Sequence, residues 1–133
     1  MKLSAIEARA KRNGLAELAG KSYRDSSSEI VASLNCEEEP VYLGIQDDDG
    51  TYTIIGRVHV FLSTRAGKKL AIPHSQFIGA LQAAGMDRGK GGQFEYIALD
   101  EKNSVWVKDG ATMSALWSIV LAGSRAQKGV SVR

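Results

Sequence analysis

Arg57, His59 and Phe61 alternate along one short segment, and Tyr96, Trp106 and Lys108 repeat the same mixture of aromatic and basic side chains further on. Lys68, Lys69, Arg88 and Lys90 lie between them, the last two in the glycine-rich run DRGKGG at 87–92. A single strand of nucleic acid calls for this combination: bases stack on rings for about 1–3 kcal/mol each, and Lys or Arg neutralise phosphates. Gly89, Gly91 and Gly92 would let the backbone come close to a phosphate. The candidate binding set is therefore Arg57, His59, Phe61, Lys68, Lys69, Arg88, Lys90, Tyr96, Trp106 and Lys108. The competing expectation is that the rings are core, since large aromatics are usually buried, and that the cations are ordinary solvated charge.

Catalytic chemistry has little to work with. His59 and His74 are the only two histidines, and no HExxH or other metal-ligand spacing is present. Cys36 is single, so it forms no internal disulfide, and nothing beside it would activate the thiol. DDDG at 47–50 resembles part of a calcium loop but lacks the spaced ligands and the distal Glu, so it reads as a hairpin turn. RGKGG lacks the GxxxxGK[ST] spacing of a phosphate-binding loop. The sequence thus predicts no catalytic residue, no metal and no cofactor.

The elements that must position the candidate set follow from hydrophobic period. Ser4 and Glu7 form a capping-box pattern, which opens a helix carrying Ile6 and Ala10. Gly14 weakens that helix, and LAELAG at 15–20 forms a last turn ending at Gly20. Residues 21–29 are polar and Ser-rich and read as a connector. Ile30, Val31 and Leu34 have helical spacing. From Pro40 the period becomes two: Val41, Leu43 and Ile45 alternate with Tyr42, Gly44 and Gln46. After the DDDG turn, 51–62 reads as one long β run, with Val58, Val60 and Leu62 facing one way and Arg57, His59 and Phe61 the other. A turn at Arg65-Ala66-Gly67 leads to a strand at 68–72. Pro73-His74-Ser75 opens a helix carrying Phe77, Ile78, Leu81 and Ala84, with Gly85 as its C-cap. Strands at 93–99 and 104–108 flank a turn at 100–103. A final helix over about 110–123 carries Met113, Leu116, Trp117, Val120 and Leu121, before a basic, frayed tail.

Residues 56–85 and 92–123 share the pattern strand, turn, strand, helix, which reads as a duplicated β-β-α unit. The fold class is therefore α+β: one antiparallel β-sheet with helices packed mainly on one face, plus an N-terminal helix. Val41, Leu43, Ile45, Val58, Val60, Leu62, Val105 and Val107 suit the face that meets the helices. Tyr42, Arg57, His59, Phe61, Phe94, Tyr96, Trp106 and Lys108 would form the other.

The segments NSVWVKDGATMSALWSIV and GKKLAIPHSQFIGAL resemble the strand-into-helix unit of Whirly proteins and of positive-cofactor-type coactivators. The resemblance covers about 65 residues at the level of pattern. It implies a curved antiparallel sheet that binds single-stranded DNA, often in a dimer or higher oligomer. The family unit has four strands before its helix, whereas the second repeat here offers two.

Length and charge bound the rest. The 133 residues, 44% apolar and 24% charged, suit one globular domain. No apolar run reaches the length of a membrane span, and the charged N-terminal segment lacks the apolar stretch of a secretory signal, so the expected place is cytoplasmic. The net charge of +2 hides an asymmetry. Residues 37–50 carry six carboxylates and no base, while 51–133 carry eleven Lys or Arg against five carboxylates. Such asymmetry suggests a polyanion partner. The expected organisation is an N-terminal helix and polar connector at 1–36, an α+β core at 37–123 and a basic tail at 124–133. Open sheet edges point to a homo-oligomer. Two functions from different classes follow: a non-catalytic binder of single-stranded DNA or RNA, or a small protein-binding regulator or inhibitor of the phage or mobile-element kind, docking through the acidic stretch or its exposed aromatics.

Overall fold

The computed structural model describes residues 4–35, 39–64, 67–88 and 95–131. Helix α1 spans Ala5–Asn13 and starts where the capping box requires: the Glu7 amide donates to Ser4 Oγ and the Ser4 amide to Glu7 Oε1, each at 3.1 Å. Gly14 ends it, and α2 follows over Leu15–Ala19. A single 3-10 turn at Gly20–Ser22 leads into β1, Tyr23–Arg24. The polar connector thus contains a short strand that its composition hides. Tyr23 pairs with Ile45 and rests on the main core, so one aromatic residue anchors an otherwise hydrophilic stretch. Helix α3 spans Glu29–Leu34.

Four more strands complete an antiparallel meander in the order β1-β2-β3-β4-β5: β2 at Val41–Gln46, β3 at Tyr52–Gly56, β4 at His59–Ser63 and β5 at Lys69–Pro73. The DDDG turn forms as expected, with the Gly50 amide donating to Asp47 O at 3.0 Å and Gly50 at φ 94°. The long β run at 51–62 does not persist. It breaks at Arg57–Val58 into β3 and β4, because Thr53, Ile54 and Ile55 pair back on Leu62, Phe61 and Val60.

A bulge between Val41 and Leu43 also overrides simple alternation. Tyr42 and Leu43 both pack with the main core, while Val41 joins a second cluster. The expected partition, with Val41 beside Leu43 and Tyr42 opposite, is corrected by that one extra residue.

β5 runs directly into α4, His74–Arg88, which passes through Gly85 instead of stopping there. β6 (Tyr96–Ala98) and β7 (Ser104–Trp106) form a separate two-stranded sheet, not a continuation of the first. β7 lies against β3 and β4. The Thr53 hydroxyl fixes it there by donating to Trp106 O at 2.6 Å in a buried hydrogen bond. Helix α5 runs over Gly110–Ser131, through the stretch expected to fray. Its amide at Thr112 is capped by Asp109 Oδ1 at 2.8 Å.

Two clusters hold the fold. The main one joins Leu43, Ile45, Ile55, Val60, Leu62 and Ile72 of the sheet to α1, α2, α4, α5 and the β6-β7 hairpin. The smaller one sets Val31 of α3 on Val41, Tyr52 and Ile54, whose side chains alternate with the first set on the other face. In α5 the buried stripe is Met113, Leu116, Ile119 and Val120, with Trp117 and Leu121 at its margin. No helix among the described residues is long and apolar enough to cross a membrane.

β2 passes β3 so closely at Gly44 that an added Cβ would overlap the Thr53 carbonyl and the Ile54 Cα. In α4, a Cβ at Gly79 would meet nothing within 4 Å. Chemical denaturation should therefore separate the two glycines. Gly44→Ala is expected to lower the unfolding free energy by about 1–3 kcal/mol. Gly79→Ala is expected to raise it by up to about 1 kcal/mol.

Candidate nucleic-acid interface

The β4-β5 register sets His59 opposite Pro73, Phe61 opposite Ala71 and Ser63 opposite Lys69. These side chains share one face, while Val60, Leu62 and Ile72 point into the main core. Among the described residues, α3 covers the β2-β3 half of this face and no element covers the β4-β5 half. There Lys69, Ala71 and Pro73 are exposed, and His59 and Phe61 are half-buried. The two rings lie 6.3 Å apart and tilted by 59°. Arg57 is exposed on the turn at one end of the face, and Lys68 and Lys69 are exposed at the other. At about 3.4 Å per residue, the five residues of β4 separate those cations by roughly 14 Å.

The Arg57–Val58 turn needs outside support. Two-residue hairpin loops favour residues with positive φ, and among the described non-glycine residues only Lys108 has one. Glu39 supplies the support. Its Oε2 accepts from the Val58 amide at 2.9 Å and from the His59 amide at 2.6 Å, and the Arg57 amide donates to Pro40 O at 2.9 Å. The other carboxylate oxygen lies 2.7 Å from His59 Nδ1. An ionised carboxylate only accepts, so a neutral His59 carries its proton on Nδ1 and keeps a lone pair on Nε2. Gly56 leaves the room: a Cβ there would stand 2.7 Å from Glu39 Oε2 and 2.8 Å from Phe61 Cε2.

Burial pushes the Glu39 carboxyl up, but hydrogen bonds from the His59 ring and from the His59 and Val58 amides outweigh it and hold it below the usual carboxylate range. Next to it His74, buried at the start of α4, lies with Nε2 2.9 Å from Gly56 O. That nitrogen donates, since a carbonyl cannot. Burial pulls the His74 ring below its ordinary value, against the opposing effects of the Gly56 carbonyl and Glu39, and favours the neutral form.

The other predicted site residues are dispersed. Trp106 is only 3% exposed and packs in the main core, so no base can stack on it. Its partner Tyr96 is half-buried against the same core. Tyr42 lies on the opposite face from Phe61, as the bulge dictates. Lys108 does not extend β7. Its φ of 72° folds the chain so that the Asp109 amide reaches Val107 O at 2.9 Å, and its Nζ meets Asp109 Oδ2 at 2.9 Å. Arg88 is the last residue of α4. Gly89, Lys90, Gly91, Gly92, Gln93 and Phe94, with Cys36, Glu37, Glu38, Arg65 and Ala66, lie outside the described residues. The face thus unites Arg57, His59, Phe61, Lys68 and Lys69 from the sequence reading, while Glu39, Gly56 and the buried His74, which that reading missed, support its end from beneath. Glu39 acts across about twenty positions on backbone amides, and such a contact leaves no periodic trace. Among the described residues no group of three or more His, Cys, Asp or Glu could hold a metal ion. No family model, curated protein or solved structure matches the chain.

Truncation separates core from interface. Trp106→Ala is expected to cost about 3–5 kcal/mol of stability, read from the denaturation midpoint, as removal of a buried aromatic does. Glu39→Ala should cost about 2 kcal/mol at neutral pH, since hydrogen bonds to a charged group are lost. Because the folded carboxyl titrates below the unfolded value of 4.5, the Glu39 contribution is complete above that value and lost as pH falls through the folded one. The gap between wild type and Glu39→Ala should therefore close in acid, and a gap independent of pH would contradict the clamp.

Proposed function

We propose that the protein binds single-stranded nucleic acid on the open β4-β5 face and performs no chemistry on it. The observation that carries this reading is the register of β4 and β5, which sets Phe61, His59 and Lys69 on one uncovered face, with Arg57 and Lys68 at its ends. A base has one ring to stack on, and the phosphates on either side have cations within reach. The chain's basic C-terminal two thirds favours approach of a polyanion. The pattern-level resemblance to Whirly-type proteins points the same way.

Docking of a protein partner through the acidic stretch has less support. Glu39 is spent on the turn, the Asp47 and Asp49 carboxylates accept from nearby hairpin amides, and Asp48 stands 3.6 Å from Lys21. The β5 edge carries Lys69 and Pro73, residue types that discourage strand addition. The face, more than the edge, is the surface left to bind.

Three cations set the expected salt dependence. For a single strand, log K should fall with log salt at a slope of about −2. Anisotropy of a labelled oligonucleotide of about 30 residues, at roughly 50 and 200 mM salt, should show a loss of about fifteenfold, with weak binding to the matching duplex. Phe61→Leu keeps apolar volume and removes the ring, and it should weaken binding roughly tenfold. Lys69→Ala should flatten the slope by about 0.7. Absence of binding at the lower salt, or indifference to both substitutions, would refute the reading.

A further inference from the structure

We propose that strand binding is proton-linked through the Glu39–His59 pair, so that the bound state takes up a proton on His59 and the interface tightens in mild acid. This inference rests on the preceding reading and names how that site is regulated. His59 stands on the open face between Arg57 and Lys69, beside Phe61. Its Nδ1 is fixed by Glu39 Oε1 at 2.7 Å, and its side chain is 39% exposed. With Nδ1 engaged, Nε2 is the nitrogen left to meet a ligand. In the neutral ring Nε2 carries a lone pair and repels a phosphate oxygen. In the protonated ring it donates, and a charge-assisted hydrogen bond forms.

Charged and titratable groups surround the ring on several elements. Glu39, from the segment before β2, is the carboxylate in contact with the ring, and its side chain is only 12% exposed and little screened. Arg57 lies on the turn before β4, and Lys69 lies on β5 opposite Ser63. His74 on α4 sits nearby and is held toward the neutral form by burial. From β2, Tyr42 senses both Glu39 and Arg57 and stays uncharged, its hydroxyl raised chiefly by burial. β3 contributes the uncharged Gly56, and β5 sets Pro73 opposite His59. A bound phosphate backbone would add negative charge beside the ring. Negative charge brought beside an imidazole stabilises its protonated form. By linkage, a ligand that raises the proton affinity of a group binds more tightly when that group is protonated.

The test is oligonucleotide anisotropy from about pH 8 to about pH 5.5, a range in which Glu39 remains ionised, with the histidine ring resonances followed by NMR in the free and bound protein. Wild-type affinity is expected to rise about tenfold across the range, equivalent to one unit of proton linkage. The salt slope should steepen by about 0.7 as one more phosphate is neutralised. His59→Gln should bind with little pH dependence. Glu39→Gln removes the negative partner and should move the rise to lower pH. The His59 ring signal, assigned by its loss in His59→Gln, should titrate at higher pH in the bound protein than in the free one. Binding whose pH dependence is the same in wild type and His59→Gln, or a ring titration that the oligonucleotide leaves unmoved, would overturn the linkage while strand binding itself stood. No binding at any pH would overturn both.

Discussion

The Glu39 carboxylate is the contact on which the rest of the sheet depends. A tight turn at Arg57–Val58 has no residue with positive φ to relax it, and one of its two residues is β-branched. Two amides at its end would lack partners if the carboxylate were absent. By accepting both, Glu39 fixes where β3 ends and β4 begins. That choice sets the register of Ile55 on Val60, and with it which side chains enter the core and which face outward. Gly56 and His74 belong to the same arrangement. The glycine admits the carboxylate beside the Phe61 ring, and its carbonyl takes the His74 Nε2–H at the start of α4. One end of the sheet thus ties together the segment before β2, the β3-β4 turn and the first turn of a helix.

Local patterns in the sequence were legible where local physics decides the outcome. The Ser4–Glu7 capping box, the Asp-Gly turn, the alternation in 43–46 and the strand-to-helix passage at Pro73-His74 all describe neighbours in the chain. The antiparallel α+β class follows from these elements. Misreadings arose where a distant partner or one extra residue changed the result. The run at 51–62 is uniformly β-forming, so only Glu39, far back in the chain, reveals the break inside it. The bulge at Val41–Leu43 reverses the side of two residues without altering composition. β1 is two residues long and is recruited by Tyr23 against Ile45, below any periodic signal. On the candidate face the types of Arg57, His59, Phe61, Lys68 and Lys69 could be read, but their common placement depends on pairing registers that composition does not encode.

Phe61 and Trp106 show why residue type alone does not define a binding surface. Both are aromatic residues in β-strands, Phe61 in the first strand and Trp106 in the second strand of two strand-turn-strand-helix stretches. The hairpin carrying Trp106 is separate from the main sheet and lies on the inner face of β3 and β4, where the Thr53 hydroxyl grips the Trp106 carbonyl. A two-stranded hairpin is marginal alone and must bury a face against something larger, and here that face includes the indole ring. β4 has the opposite situation. Its inner residues, Val60 and Leu62, already fill the core, so Phe61 is left to the outer face, where the short α3 reaches only far enough to cover its margin. Leaving an aromatic ring only partly buried forgoes burial that a fold usually takes. Basic residues flank this ring, whereas the buried indole stands among apolar ones, so packing alone sets the two aromatic residues in opposite surroundings.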